Sequence, residues 1–310
     1  MRQYCKTILG IALILFCLCS CGKAESPAVS PVQDGLVEKK AMPFSPAPAL
    51  PDLYYTNAAP VNSGVFLCGT GKQGPSLIYR ELPVGENMPI DLPGPGIIAF
   101  LGASGTGTAL LVMDSPQPGD LGTMRDSFTL YELDNTGAIL RELALGGIGQ
   151  INLVAMGTPE VQGCALLGED VLILINHRLL LLGADGSLLD DRICTGHPQL
   201  IGSVRERTYL DNVRDGALHL ASVSLSEDHH LRWAELPVPE RCDLFLPAFG
   251  NHDLFFMTGR QVCALDPVSG ETREVWTYLA PPSAEKEIGY NGDTLLVELE
   301  RGQIRFLSIE

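Results

Sequence analysis

DLFFMTGRQVCALDPVSGETREVWTY, residues 253–278, holds three short apolar runs separated by two turns. The first run, DLFFMTG, reads as a strand. RQVCALDP pairs back on it through the tight turn Gly259-Arg260, and SGETREVWTY follows a Pro/Ser/Gly turn. Aromatic and branched residues fill the runs, while Gly, Asp and Pro mark their ends, the pattern of consecutive antiparallel strands. Apolar spacing at i, i+3, i+4, i+7 is sustained neither here nor elsewhere, so helices are not expected.

Working outward, the same two-strand unit recurs at residues 64–82, 108–137, 169–186, 216–236, 252–267 and 292–309. The first strands start near 64, 108, 170, 216, 253 and 293, and the one long interval is explained by a loop inserted at 114–127. Two copies share a phrase, YRELPVGE at 79–86 and WAELPVPE at 233–240. A period near 40–45 residues with four short strands per unit is the pattern of a β-propeller. A β-sandwich also spaces its strands closely, but six periods are too many for one. The expectation is an all-β chain with six four-stranded blades. The last repeat ends at Glu310 without an outer strand, and the strand-like segment Leu50–Asn57 is expected to supply it. That pairing would close the ring and remove an exposed sheet edge.

The segment CALDPVSGETREVW, 263–276, resembles the repeat of PQQ-like propellers, with weaker echoes at YELDNTG, 131–137, and LGADG, 182–186. The resemblance implies that Asp266 holds the turn through its carboxylate and that Gly270 takes the positive φ it needs. It carries over the fold and no quinone ligands, and no cofactor is expected.

The chain opens with MRQYCKTILGIALILFCLCSC, in which Arg2 and Lys6 precede about a dozen apolar residues. That core is short for a membrane span and the right length for a secretory signal. Leu18-Cys19-Ser20-Cys21 resembles the bacterial lipobox, which implies cleavage after residue 20 and lipid attachment at Cys21. Residues 21–49, rich in proline, then form a disordered spacer, and residues 50–310 form the propeller domain. The expected location is the cell membrane, lipid-anchored and facing outside the cytoplasm.

Cleavage removes two of 21 Lys/Arg and none of 37 Asp/Glu, moving the net charge from −16 to −18. Such a balance repels nucleic acid and offers no basic patch for headgroups, so the anchor must be the lipid. Beyond Cys21 the cysteines are Cys68, Cys164, Cys194, Cys242 and Cys263, with no CxxC spacing. Cys68 and Cys263 lie in apolar runs and read as core thiols, leaving one disulfide open among the others.

Motifs with chemical meaning are few. Gly69-Thr-Gly-Lys-Gln-Gly74 matches GxGxxG but is followed by a strand where a dinucleotide site needs a helix, so it reads as a hairpin loop. Glu227-Asp228-His229-His230 is the densest run of potential metal ligands, and solvated turn residues explain it better. No catalytic or metal-ligating set is assigned. The long insert carries the candidate binding residues Asp114, Asp120, Leu121, Met124, Arg125 and Asp126, because long loops on rigid scaffolds commonly carry recognition. The function read from the sequence is a non-catalytic binding or scaffold module for a protein or envelope partner. The alternative is a hydrolase or lyase acting on glycans or peptides at the propeller axis.

Overall fold

Runs such as ALLVMD at 109–114 and DVLILI at 170–175 are apolar at nearly every position because both of their faces are covered. The structure is a computed structural model. It describes residues 42–43 and 54–308, except 62, 73, 82–84, 116, 119–123, 126, 151–158, 205–206, 248–252, 279–286, 291–294 and 301–302. The signal, Cys21 and most of the spacer lie outside the described residues.

The chain is an all-β propeller of four-stranded antiparallel blades. Blade 1 runs through Tyr54–Val61, Gly64–Gly71, Gly74–Glu81 and Asn87–Ile90. Blade 2 uses Ile97–Ala103, Ala109–Asp114, Phe128–Leu133 and Ile139–Ala144, and blade 3 uses Val161–Leu167, Asp170–Ile175, Arg178–Leu182 and Leu188–Ile193. Blade 4 comprises His197–Val204, Arg207–Arg214, Ala217–Leu225 and Leu231–Leu236. Blade 5 comprises Leu244–Leu246, Leu254–Thr258, Gln261–Leu265 and Thr272–Thr277. In these five blades the strands pair in chain order.

The expectation of six equal blades is corrected here: five are regular, and the remaining sheet is of mixed origin. Glu287–Tyr290, Leu295–Glu300 and Gln303–Ser308 come from the C-terminus, and Met42–Pro43 pairs with Ser308 and Leu307 at its outer edge. Leu50–Asn57 does not supply that strand. Its described part, Tyr54–Asn57, begins the innermost strand of blade 1. From blade 1 to blade 4 the first strand of each blade touches the first strand of the next; that of blade 4 touches the second strand of blade 5, and the first strands of blades 5 and 1 both touch the mixed sheet.

Alternation along each middle strand distributes side chains between neighbours. Val171, Ile173 and Ile175 join a cluster with Leu110, Val112 and Leu130 of blade 2. Leu172 and Leu174, pointing the other way, join Leu200, Leu210 and Val223 of blade 4. Each such side chain stabilises by about 1.5–3 kcal/mol relative to exposure, so the core is a series of layers between blades. Outer strands such as Leu188–Ile193 are mostly exposed and carry Asp190, Asp191 and Arg192, charges that discourage edge pairing.

The sequence repeats coincide with the second and third strands of the blades in five cases. The unit at 216–236 is the exception, being the third and fourth strands of blade 4; its middle pair is Arg207–Arg214 with Ala217–Leu225. The shared phrase is therefore not a repeat equivalence, since Tyr79 lies on a third strand and Trp233 on a fourth.

The implied Asx turn is present. Asp266 Oδ1 accepts the amides of Val268 at 2.8 Å and Ser269 at 3.3 Å, and Gly270 has φ of 76°. Asp134 and Asp185 make the same contacts, to Thr136 and Ser187. All three turns join third to fourth strands. Hydrogen bonds to the turn hold the carboxyls of Asp134 and Asp185 below the usual range.

Candidate functional site

Antiparallel order sends second-to-third hairpins and blade-to-blade connections to one face, and first-to-second and third-to-fourth turns to the other. On the first face, hairpins are short. The registers Gly71 to Gly74, Ile175 to Arg178, Arg214 to Ala217, Thr258 to Gln261 and Glu300 to Gln303 each leave two intervening residues. Gly69–Gly74 is thus the hairpin that its sequence indicated. Blade 2 is the outlier, because Asp114 pairs with Phe128 across residues 115–127.

That insert is the segment proposed from sequence. Asp114 is buried, and its Oδ1 accepts the amide of Ser127 at 3.2 Å, pinning the base of the loop. Met124 and Arg125 form a two-residue strand paired with Gln117 and Pro118. Asp120, Leu121 and Asp126 lie outside the described residues.

On the same face, blades 3 and 4 enclose a polar groove that motif reading missed. Two adjoining cavities of about 560 and 180 Å3 share Thr195 and Arg214. His197, Asp215 and His219 line the larger, and Arg192, Asn212, Trp233 and Glu235 line the smaller.

Tight turns place these residues. Asn176-His177 closes the middle hairpin of blade 3 with φ of 46° and 62°, and Asp215-Gly216 closes that of blade 4 with 53° and 77°. Both are two-residue turns with positive φ, which suit the twist of the strands. The carbonyl of His177 accepts the Cys194 amide at 2.8 Å, and its ring lies edge-on to His197 with centroids 6.0 Å apart. The chain then crosses to blade 4 at Gly196, where φ is 91° and a Cβ would stand 2.4 Å from the Val213 carbonyl oxygen. Only glycine fits there.

Arg214 organises the floor. Its Nη2 donates to His219 Nδ1 at 3.0 Å and to Glu235 Oε1 at 3.2 Å. Since guanidinium only donates, His219 Nδ1 accepts, and the proton of the neutral ring sits on Nε2. Trp233 Nε1 donates to the same Glu235 oxygen at 3.5 Å, and Arg192 Cζ lies 5.4 Å from the centre of the Trp233 ring. Asn212 Nδ2 donates to the Thr195 carbonyl at 2.6 Å. Asn212 Oδ1 and Arg214 Nε are buried with no hydrogen-bond partner in the protein.

The structure thus brings His197, His219, Arg192, Arg214 and Trp233 together, with His177 adjoining, from positions 56 residues apart along the chain (177 to 233). Their shared signal was positional: each sits in or next to a second-to-third hairpin, a connection between blades, or the outer strand beside one. His229 and His230 are elsewhere, in the third-to-fourth turn of blade 4, and His229 Nδ1 donates to Asp170 Oδ2 at 3.0 Å. The described cysteines Cys68, Cys164, Cys194, Cys242 and Cys263 are all free, so no disulfide forms among them. Burial pushes the Cys164 thiol up to about 12.

No known protein family matches the chain, and no curated protein does. Among solved structures it is similar to a protein of unknown function from Bacteroides caccae, 14% identical over 73% of this chain and 81% of that one, with a TM-score of 0.44. It is also similar to the WD40 domain of SCAP from fission yeast, at 11% identity over 84% and 66%, with a TM-score of 0.44. A gluconolactonase from Xanthomonas campestris matches at 12% identity over 84% and 87%, with a TM-score of 0.48.

Proposed function

We propose that the protein is a lipid-anchored, extracytoplasmic binding module whose hairpin face holds a protein or envelope component without catalysing a reaction. The observation that carries this reading is the asymmetry of that face. Five second-to-third connections are two residues long, whereas blade 2 extends 115–127 from a base pinned by Asp114. A rigid scaffold that keeps its other hairpins minimal and lengthens one concentrates recognition there. Asp114 fixes the loop in this reading, and Asp120, Leu121, Met124, Arg125 and Asp126 meet the partner.

The anchor is the acylated Cys21, with the segment up to Met42 as tether. In the same proposal Met42–Pro43, paired with Leu307 and Ser308, secures the edge of the mixed sheet. Kinship with PQQ-like repeats is supported by the matching turns at Asp134, Asp185 and Asp266. No nucleic acid or bound cofactor enters this reading.

Membrane fractionation of Cys21→Ser tests the anchor: the variant is expected in the soluble fraction, and retention in the pellet contradicts it. Replacing 115–126 by a short Gly-containing turn tests the face. Capture of the partner should fall while folding persists, and an unchanged yield contradicts the role of the insert.

A further inference from the structure

A carboxyl group enters the apolar layer between blades 4 and 5. Side chains alternate along Arg207–Arg214, so Leu210 joins the layer shared with blade 3 while Tyr209 packs with Phe245, Phe256 and Cys263 of blade 5. Asp211 lies on the Tyr209 side, is 7% exposed, and accepts the amide of Phe245. Gln199 and Leu220 stand opposite it on the neighbouring strands, and His197 turns away to His177 of blade 3. The connection 237–243 brings further titratable groups. Cys242 packs on the same layer, where Asp211, Asp243 and Cys263 act on its thiol. Glu240 and Arg241 of that connection are exposed. Among the described residues, the titratable groups facing Asp211 are therefore Tyr209, Cys242, Asp243 and Cys263, and none of them is a cation.

An ion at this position has an apolar layer around it and another carboxylate, Asp243, close by, so admitting water relieves it. Burial accordingly pushes the Asp211 carboxyl up to about 7 from an ordinary 3.8. The element next to it is lightly held. Leu244–Leu246, the first strand of blade 5, has three residues where the other regular blades have seven or eight, and 237–243 contains no strand. Three amides fasten this stretch: Cys242 to the Pro239 carbonyl at 3.2 Å, Asp243 to the Met257 carbonyl at 2.8 Å, and Phe245 to Asp211 itself. Segments with so few bonds open locally before the whole fold does. We infer that Asp211 is a proton-operated latch, which when neutral holds 237–246 against blade 4 and when ionised lets that segment open. The connection lies on the hairpin face, so on the reading of that face as the binding face the latch regulates its order. The face is ordered in acid and loosens as pH rises.

The experiment is hydrogen–deuterium exchange of the purified protein at pH 5 and pH 7.5, with rates corrected for intrinsic amide chemistry. A group whose carboxyl is raised in the closed state favours that state fully below its ordinary value, and the advantage is lost as pH rises through the raised one. One linked proton changes the opening equilibrium by up to about tenfold per pH unit across that window. Protection of 237–246 should therefore fall by about tenfold or more between the two pH values, while the middle strands of blade 3, 170–182, keep theirs. Asp211→Asn keeps an acceptor for the Phe245 amide and cannot ionise, so its protection should not change with pH. The parent protein decides the matter even if that variant folds poorly. Unchanged protection of 237–246 in the parent overturns the inference. So does an equal loss in 170–182, which would mean global weakening, or the same pH-dependent loss in Asp211→Asn. The readout needs no partner, so a failed latch leaves the role of the insert standing, and a failed insert leaves the latch standing.

Discussion

His229 Nδ1 donates to Asp170 Oδ2 at 3.0 Å, joining the last turn of blade 4 to the second strand of blade 3. Asp170 is buried, and the Leu231 amide beside the turn reaches back to Asp190 Oδ2 at 2.8 Å. These bonds fasten two blades that also share the apolar layer of Leu172, Leu174, Leu200, Leu210 and Val223. Asp170→Ala should cost about 1–2 kcal/mol, because it removes a partly desolvated bond. His229→Gly should cost less than His229→Ala, since His229 has φ of 55° and glycine adopts that conformation freely. Urea denaturation of the three variants measures the order; equal losses at position 229 would contradict the strain contribution.

Asp211 gives stability a pH dependence. Burial pushes its carboxyl up to about 7, against an ordinary value near 3.8, despite a hydrogen bond from the Phe245 amide. The folded state therefore holds this proton more tightly than the unfolded state. The stability it favours is fully present below pH 4 and is lost as pH rises towards 7. Asp211→Asn removes the penalty, so it should gain on the order of 2–4 kcal/mol over the parent at pH 8 and match it near pH 4. Melting curves at the two pH values decide this, and a constant difference would rule it out. The nearby Cys242 thiol, pushed up to about 12 by burial and then by Asp211, Asp243 and Cys263, should stay unreactive to alkylation at pH 8.

Closure of the mixed sheet predicts where truncation begins to matter. Removing residues 22–40 leaves Met42–Pro43 in place, whereas removing 22–45 deletes the strand that pairs with Leu307 and Ser308. The first truncation should leave Tm unchanged. The second should lower stability by about 1–2 kcal/mol, the scale of a short edge pairing with its few hydrogen bonds. Equal melting temperatures would remove any role for this strand.

Gly196 offers a sharper test of the groove wall. Alanine there combines φ of 91° with a Cβ 2.4 Å from a backbone oxygen, so Gly196→Ala should destabilise by about 2–4 kcal/mol. Gly270→Ala, with φ of 76° and open space around it, should cost only about 1 kcal/mol. Denaturant titrations rank the two, and similar losses would show that contact with Val213 is not decisive.

The blades were legible because middle strands covered on both faces must be apolar throughout, as VLILI and ALLVM are. The Asx turn at Asp266 was legible because its carboxylate acts within four residues of chain. Blade 4 misled the register: LASVSL and LRWAEL are as strand-like as any middle pair, while the true second strand, RTYLDNVR, hides its apolar face behind Asp211 and Asn212. Met42–Pro43 was invisible, since two residues carry no periodicity. The groove escaped motif reading for a related reason. Its residues come from separate turns and strand ends of adjacent blades, and only the ring geometry makes neighbours of His197, Arg214 and Trp233.

The central claim is that the hairpin face is the one that meets the partner. A photo-crosslinking residue placed at Arg125, on the insert, and another at Val268, 68% exposed in a third-to-fourth turn of the opposite face, test it directly. In native membranes the probe at 125 should give a discrete, stoichiometric adduct and the probe at 268 none. An adduct from 268 alone, or equal adducts from both, would contradict the account.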